Sequence, residues 1–189
     1  KRPEFLKLNP HGKVPVLNDA GNILFESCII NEYLDEKYPN PPLMPKDPYL
    51  RGRGRVLVDY ALNYTHEPYW ALRGEMLKKE SERDNSVIEE KRQTLRGLLQ
   101  YLEEALGEKA YFLGEISLTD IDIVPRFLRM ESYGALPSPS LPRLSAWSPC
   151  GEPGRPASTA SRRPPGSIRR SPRTRRWPVR HRRAPPGGE

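Results

Sequence analysis

Four prolines within seven residues, Pro39, Pro41, Pro42 and Pro45, divide this chain more firmly than any other feature of its 189 residues. Each lacks a backbone N–H and crowds the residue before it, so neither a helix nor a central strand can run through the stretch. The patterns on the two sides differ in kind. Upstream the apolar runs are short and β-branched; downstream they recur at helical spacing over long stretches. The expectation is an α+β chain of two unequal domains, residues 1–45 and 46–147, followed by a compositionally distinct tail, 148–189.

Upstream, Pro3 suits a first helical position, Glu4 to Leu8 read as a short helix, and Asn9-Pro10 stops it. A hairpin is expected next, with strands Val14-Pro15-Val16-Leu17 and Ile23-Leu24-Phe25 joined by Asp19-Ala20-Gly21-Asn22. Pro15 cannot donate to a ladder, which makes its strand an edge or an interrupted one, and a cis bond would reconcile the two readings. Ser27 then suits a helix N-cap, with Ile29, Ile30, Tyr33 and Leu34 on one side of the helix and Asp35, Glu36 and Lys37 on the other.

Downstream, Asp47-Pro48 opens a helix carrying Leu50, Leu57, Tyr60, Ala61 and Tyr64. A longer helix aligns Ile88, Leu95, Leu98, Leu99, Leu102 and Leu106 and ends at Gly107. Ser117 and Asp120 form a capping box, with Ile116 placed to staple onto Ile121, ahead of a helix that runs to about Tyr133-Gly134. Pro137, Pro139 and Pro142 make a turn, and a last helix begins at Leu141 without developing. There are no internal repeats.

Charge is concentrated at one end. Residues 148–189 hold 11 arginines and nine prolines against two glutamates, a net +9, whereas the first 147 residues, with 20 basic and 22 acidic side chains, carry −2. The formal +7 of the whole chain therefore describes the tail. Arg169-Arg170, Arg175-Arg176 and Arg180 to Arg183, interleaved with proline around Trp177, read either as a disordered arm that neutralises nucleic-acid phosphates or as out-of-frame translation of GC-rich DNA. The second reading is preferred because the helix begun at Leu141 breaks off at Pro149, and a nucleic-acid partner is expected only if the tail is genuine. Cys28 and Cys150 are the only cysteines and have no metal or redox spacing, which argues against a disulfide framework and for a cytoplasmic chain. No signal-peptide core or membrane-length apolar run is present, and Lys1 in place of a methionine suggests an amino terminus further upstream.

The residues most suggestive of chemistry are Asn9-Pro10-His11-Gly12-Lys13-Val14-Pro15-Val16-Leu17 and Glu26-Ser27. Pro15 leaves the Val14 main chain free to pair with an extended ligand, the helix start at Ser27 favours a carboxylate, and Glu26 suits an ammonium group. A ligand with an α-amino-acid head and a peptide middle meets all three.

At this point "NPHGKVPVL", "ESCIINEYLDEKYP", "PPLMPKDPYLRGRGR" and "FLGEISLTDIDIVP" resemble cytosolic glutathione transferases, over roughly residues 1 to 147. The resemblance implies a partial thioredoxin-like domain followed by an all-helical domain, and a homodimer that binds glutathione as cosubstrate beside an apolar electrophile, without a metal. It also implies roles: Glu26 and Ser27 for the γ-glutamyl group, Val14 before a cis-Pro15 for the cysteinyl backbone, and Lys13 for a carboxylate. The catalytic Tyr, Ser or Cys of that family lies on a segment before the matched part, so the chain by itself is expected to be inactive. The stretch "ESCIINEYLDEKYPNPPLMP" also resembles stringent starvation protein A, which keeps the fold but binds RNA polymerase instead of turning over glutathione.

Each of these residues has a plainer role open to it. Glu26 and Ser27 could be an ordinary helix cap, Pro15 an edge-strand proline, and Lys13 a solvated lysine. Cys28 reads as a small half-buried thiol, and His11 and His66 as surface or packing residues. Tyr60, Tyr64, Tyr69 and Trp70 could line the cosubstrate pocket, and core or dimer packing explains Tyr60 and Tyr64 as well. Ser117 and Asp120 are structural. The amino-terminal part, with little to bury, is expected to be loosely held.

Overall fold

Proline opens three helices of the computed structural model, which describes residues 2–147: α1 (Pro3–Leu8), α3 (Pro48–Asp59) and α7 (Pro142–Ala146). The first N–H groups of a helix have no partner within it, so proline sacrifices nothing there. Strands β1 (Val16–Asp19) and β2 (Asn22–Phe25) pair antiparallel, with Val16 opposite Phe25 and Asp19 opposite Asn22. The ladder starts at Val16, two residues later than the apolar run suggested, because Pro15 has no N–H to contribute. The Val14–Pro15 bond is cis. Ala20 and Gly21 take the turn at φ 50° and 94°, a pair of positive values that matches the twist of a two-residue hairpin.

Helix α2 (Ser27–Lys37) follows directly. The expected serine cap is corrected here: Glu26 holds the cap position, Ser27 is the first helical residue, and no side chain caps the end. The expected apolar side is corrected too. Only Ile30 of α2 is buried, and Ile29 is 56% exposed, since the hairpin and two later helices give α2 little apolar surface to lie against. Polar clasps do much of the holding. Tyr33 Oη and Lys37 Nζ both donate to the Asp19 carboxylate at the hairpin turn. The Asp35 carboxylate accepts from Leu43 N (2.6 Å) and Met44 N (3.1 Å), folding the proline-rich linker back onto α2.

After the linker the chain is helical among the described residues. Asp47 caps α3 by accepting from Leu50 N at 2.9 Å. Residues Tyr60–Tyr64 widen into a π-helical turn, and α4 (His66–Met76) continues from it. The sequence reading did not foresee α4. Pro68 and the polar residues around it break the apolar period, yet Pro68 sits in the first turn, where its missing N–H is harmless. Helix α5 (Asn85–Leu106) is capped by Asp84 and ends at Gly107 at φ 55°, and α6 (Leu118–Ser132) starts at the expected capping box.

Leu57, Leu72, Leu95, Leu99, Leu102, Ile123 and Met130 form the centre of a single core built by α3 to α7. Glu103, buried at 2% exposure within it, accepts from Arg143 N and Leu144 N, both at 2.8 Å, and so serves as the cap that the short α7 lacks. The guanidinium groups of Arg92 and Arg96 donate to the carbonyls of Tyr133, Gly134 and Ala135, pinning the turn that follows α6 to α5. Where α3 meets α6, Gly54 lies so close to Thr119 Oγ1 that a Cβ would clash. The tail expected to be disordered lies outside the described residues.

Candidate functional site

Asn9 organises the loop that leads to the hairpin. It is 1% exposed; its Nδ2 donates to Lys13 O at 2.8 Å, its Oδ1 accepts from His11 N at 3.0 Å, and its carbonyl accepts from Gly12 N at 2.8 Å. One buried residue thus ties down His11, Gly12 and Lys13 in turn. The Val14–Pro15 pair emerges with Val14 80% exposed, and the Val14 N–H and C=O make no hydrogen bond among the described residues. An extended backbone segment could pair with them.

The pairing of Val16 with Phe25 brings this loop to the end of the hairpin where Glu26 and Ser27 leave β2. Glu26 has φ 71° and ψ 116°, a conformation that a side chain with a Cβ seldom adopts. Such strain persists where the surroundings enforce it and is common at ligand clamps. Ile30 N donates to Glu26 O, so the N–H groups of Ser27, Cys28 and Ile29 stand at an uncapped helix start. Lys13, Val14, Pro15, Glu26 and Ser27, all exposed, are therefore gathered at one end of the hairpin. Together they can offer a main-chain edge, a helix start suited to an anion and a carboxylate suited to an ammonium group.

Cys28 lies one residue further into α2. Burial, and after it the negative charge of Asp122, pushes its thiol up to about 11, so it remains protonated at neutral pH. That fits the plain half-buried role and not a nucleophile.

A cleft of about 430 Å³ separates α2, α3 and α6, with Met44, Val58, Leu62 and Leu118 among its apolar lining. Two polar contacts tie its walls. Asn31 Nδ2 donates to Asp122 Oδ1 at 2.6 Å, and Arg55 donates through Nε and Nη2 to the two oxygens of Glu32, at 2.8 and 2.7 Å. Burial raises the Asp122 carboxyl above its ordinary range, whereas the hydrogen bond from Arg55 lowers that of Glu32.

Tyr60 and Tyr64 do not line this cleft. The Tyr60 ring lies 4.8 Å from that of Tyr64 and 4.4 Å from that of Tyr101 in α5, and its hydroxyl donates to Leu98 O at 3.0 Å. Tyr69 is buried beneath the Arg126 guanidinium, 4.0 Å from the ring centre, and Trp70 sits on the surface against Arg73 and His66. His11 packs edge-on to Phe25. The Asp120 carboxylate accepts from Phe112 N, Ser117 N and Ser117 Oγ, so it closes the start of α6 and stays away from the cleft, while Ile116 and Ile121 keep 46% and 38% of their surface exposed.

Sequence reasoning included Asn9 in the motif without seeing that its side chain organises the loop, and it missed Asp122 and the Glu32–Arg55 pair. An asparagine before Pro-His-Gly is a signal for a side chain that hydrogen-bonds its own loop. Asp122 carries no such signal, since its partner is 91 positions away. Among the described residues no cluster of three or more His, Cys, Asp or Glu could hold a metal, and no helix is long and apolar enough to cross a membrane.

Comparison with known proteins gives consistent results. The family model for the glutathione S-transferase N-terminal domain matches residues 1–36, and the one for the C-terminal domain matches residues 43–149. A stringent starvation protein A homolog of Haemophilus ducreyi is 36% identical over 132 residues, 69% of this chain and 58% of that protein. Glutathione S-transferase U25 of Arabidopsis thaliana is 34% identical over 157 residues, 78% of this chain and 66% of that protein. The crystal structure of a theta class glutathione S-transferase from Xanthomonas axonopodis pv. citri, with glutathione bound, superposes with a TM-score of 0.66 at 30% identity, covering 77% of this chain and 70% of that one. The chain spans about three fifths of the length of the stringent starvation protein A homologs that it matches. With more than half of its residues inside the C-terminal domain model, and a hairpin and helical body arranged as in the solved transferase, the chain belongs to the glutathione S-transferase family.

Proposed function

We propose that this chain binds glutathione at the hairpin end and that the intact protein conjugates it to an apolar electrophile held in the cleft between α2, α3 and α6. The observation that supports this most is the free Val14 main chain beside the uncapped start of α2. Val14 pairs with the cysteinyl backbone, Ser27 and the α2 N–H groups take the γ-glutamyl carboxylate, Glu26 takes its ammonium, and Lys13 meets the other carboxylate. Residues 1–45 supply this cradle and 46–147 the far wall of the cleft. The cleft is preferred to the Tyr60–Tyr64 pair because Tyr60 is turned toward α5. We place the working form as a homodimer in the cytoplasm.

Cys28, the cysteine beside the cradle, is held protonated by burial and by Asp122 and supplies no thiolate of its own. The 189-residue chain is therefore expected to be retained on immobilised glutathione and to show no conjugation of a chlorinated aromatic above blank. Ser27→Ala should weaken retention about tenfold, the usual worth of one hydrogen bond to a charged group. Failure of the parent chain to be retained would overturn the assignment. Similarity to the stringent starvation protein A homologs favours one other reading, a non-catalytic protein associated with RNA polymerase. Co-purification of polymerase without retention on glutathione would select it.

A further inference from the structure

The charges around the cleft suggest which guests it accepts. Its lining includes three carboxylates, Glu32, Asp59 and Asp122, and one guanidinium, Arg55. Arg55 is the group that would attract an anion, yet Glu32 occupies both Nε and Nη2 of its fork. A bidentate pair of this kind leaves little charge to offer a third group. Asp59 accepts from Asn63 Nδ2 at 2.6 Å, and Asp122 accepts from Asn31 and lies against the Cys28 thiol, all of them neutral partners that leave the carboxylate charges uncompensated.

We infer that the cleft selects against anionic guests and takes neutral or cationic apolar electrophiles, for which arylalkylamines and arylalkyl alcohols serve as unreactive probes, with Asp122 as the residue that sets this preference. The inference rests on reading the cleft as the cosubstrate site. The volume of about 430 Å³ is suited to a molecule of one or two rings, and the apolar wall of Met44, Val58, Leu62 and Leu118 takes the ring. A carboxylate brought within a few ångströms of Asp122 meets a repulsion that the half-buried setting screens less than water would. An ammonium group meets the same field as an attraction.

Cys28 lines the cleft, and at pH 9, where about a hundredfold more of its thiol is ionised than at neutral pH, its slow alkylation can report on occupancy. In the full chain carrying Cys150→Ser, Cys28 is the one remaining thiol, and its alkylation by the neutral reagent N-ethylmaleimide can be followed with three guests that share a phenyl ring: phenethylamine, 2-phenylethanol and 3-phenylpropionate. The amine and the alcohol should slow labelling at concentrations about tenfold lower than the acid. Asp122→Asn should bring the three within about twofold of one another. Glu32→Gln, which frees the Arg55 fork, should make the acid protect at least as well as the alcohol; it also serves as a second probe if Asp122→Asn unfolds. Equal protection by acid and amine in the parent, an unchanged gap in Asp122→Asn with its melting intact, or no protection by any guest would each overturn the inference. Retention on glutathione is read separately. A chain that binds glutathione without charge-dependent protection refutes only the cleft preference; the converse result refutes only the glutathione cradle.

Discussion

Downstream of the linker, 18 buried hydrophobic residues from Leu57 to Leu144 touch in one cluster, whereas upstream of it Ile30 is the one hydrophobic side chain below 9% exposure among the described residues. The difference shows two ways of holding a backbone. The helical body is held by area removed from water, with each fully buried leucine contributing about 1.5–3 kcal/mol. The amino-terminal part is held by carboxylate and amide clasps: Asn9 on its loop, Asp19 with Tyr33 and Lys37, Asp35 on the linker, and Asn31 on Asp122. Such bonds fix direction, and at exposed positions they add little net stability because water competes for the same groups. Placing the ligand-facing loop on the weakly stabilised side fits the general pattern that binding segments come from the low-stability end of a fold.

Native-state hydrogen exchange should show the largest contrast. The amides of α5 should exchange at least about a thousandfold more slowly than those of the hairpin, a gap of about 4 kcal/mol in opening free energy. Uniformly slow exchange over residues 16–25 would break the comparison. Next in size, Leu99→Ala in the centre of the core should lower unfolding free energy by about 3 kcal/mol in urea, whereas Leu24→Ala in the half-buried hairpin should lower it by less than about 1 kcal/mol. Equal losses would mean that the hairpin carries core-like stability. Smaller again, Gly54→Ala should destabilise by about 2 kcal/mol, because the new methyl group meets Thr119, while Gly52→Ala on the open side of α3 should be neutral or stabilising by up to about 1 kcal/mol.

The smallest effect is in pH, and the carboxylates that clasp the hairpin and α2 should respond with opposite sign to the one at the start of α6. Hydrogen bonds from Lys37 and Tyr33 hold Asp19 below 3.8, and the bond from Arg55 holds Glu32 below 4.5. Their folded values are depressed, so their contribution is present above those ordinary values and is lost as pH falls through the folded ones. Burial raises Asp120 above 3.8, so its contribution is fully present below 3.8 and is lost as pH rises through the folded value. On acidification below about pH 4.5 the hairpin and α2 should loosen first while the start of α6 tightens, which residue-resolved exchange at pH 3.5 and pH 6 can compare.

The parts of this molecule that could be read directly are those closed by contacts within about four residues. Asp47 over Leu50, Ser117 with Asp120 and Gly107 after Leu106 each satisfy neighbouring main-chain groups, so residue type and spacing identify them. The heptad-like leucines of α5 are legible for the same reason, since one helix face follows from 3.6 residues per turn. The limit shows at α4, where Pro68 disguises a helix whose Tyr69 and Leu72 find their partners only in the packed core. It shows again at Ile29, which has the pattern of a buried residue and remains exposed because little lies over it.

The sequence by itself determined the break at the prolines, the hairpin, the helix ends and the residues Val14, Glu26 and Ser27 that share the hairpin's open end, because all of these depend on local dihedral preference and short-range hydrogen bonding. Only the tertiary structure decided that Asp122 would close on Asn31, that Glu32 would occupy Arg55, and that Tyr60 would turn to α5 and away from the cleft. Those outcomes depend on which helix faces which across 23 to 91 residues of chain, and that choice is made by burial over the whole core, which no local pattern encodes.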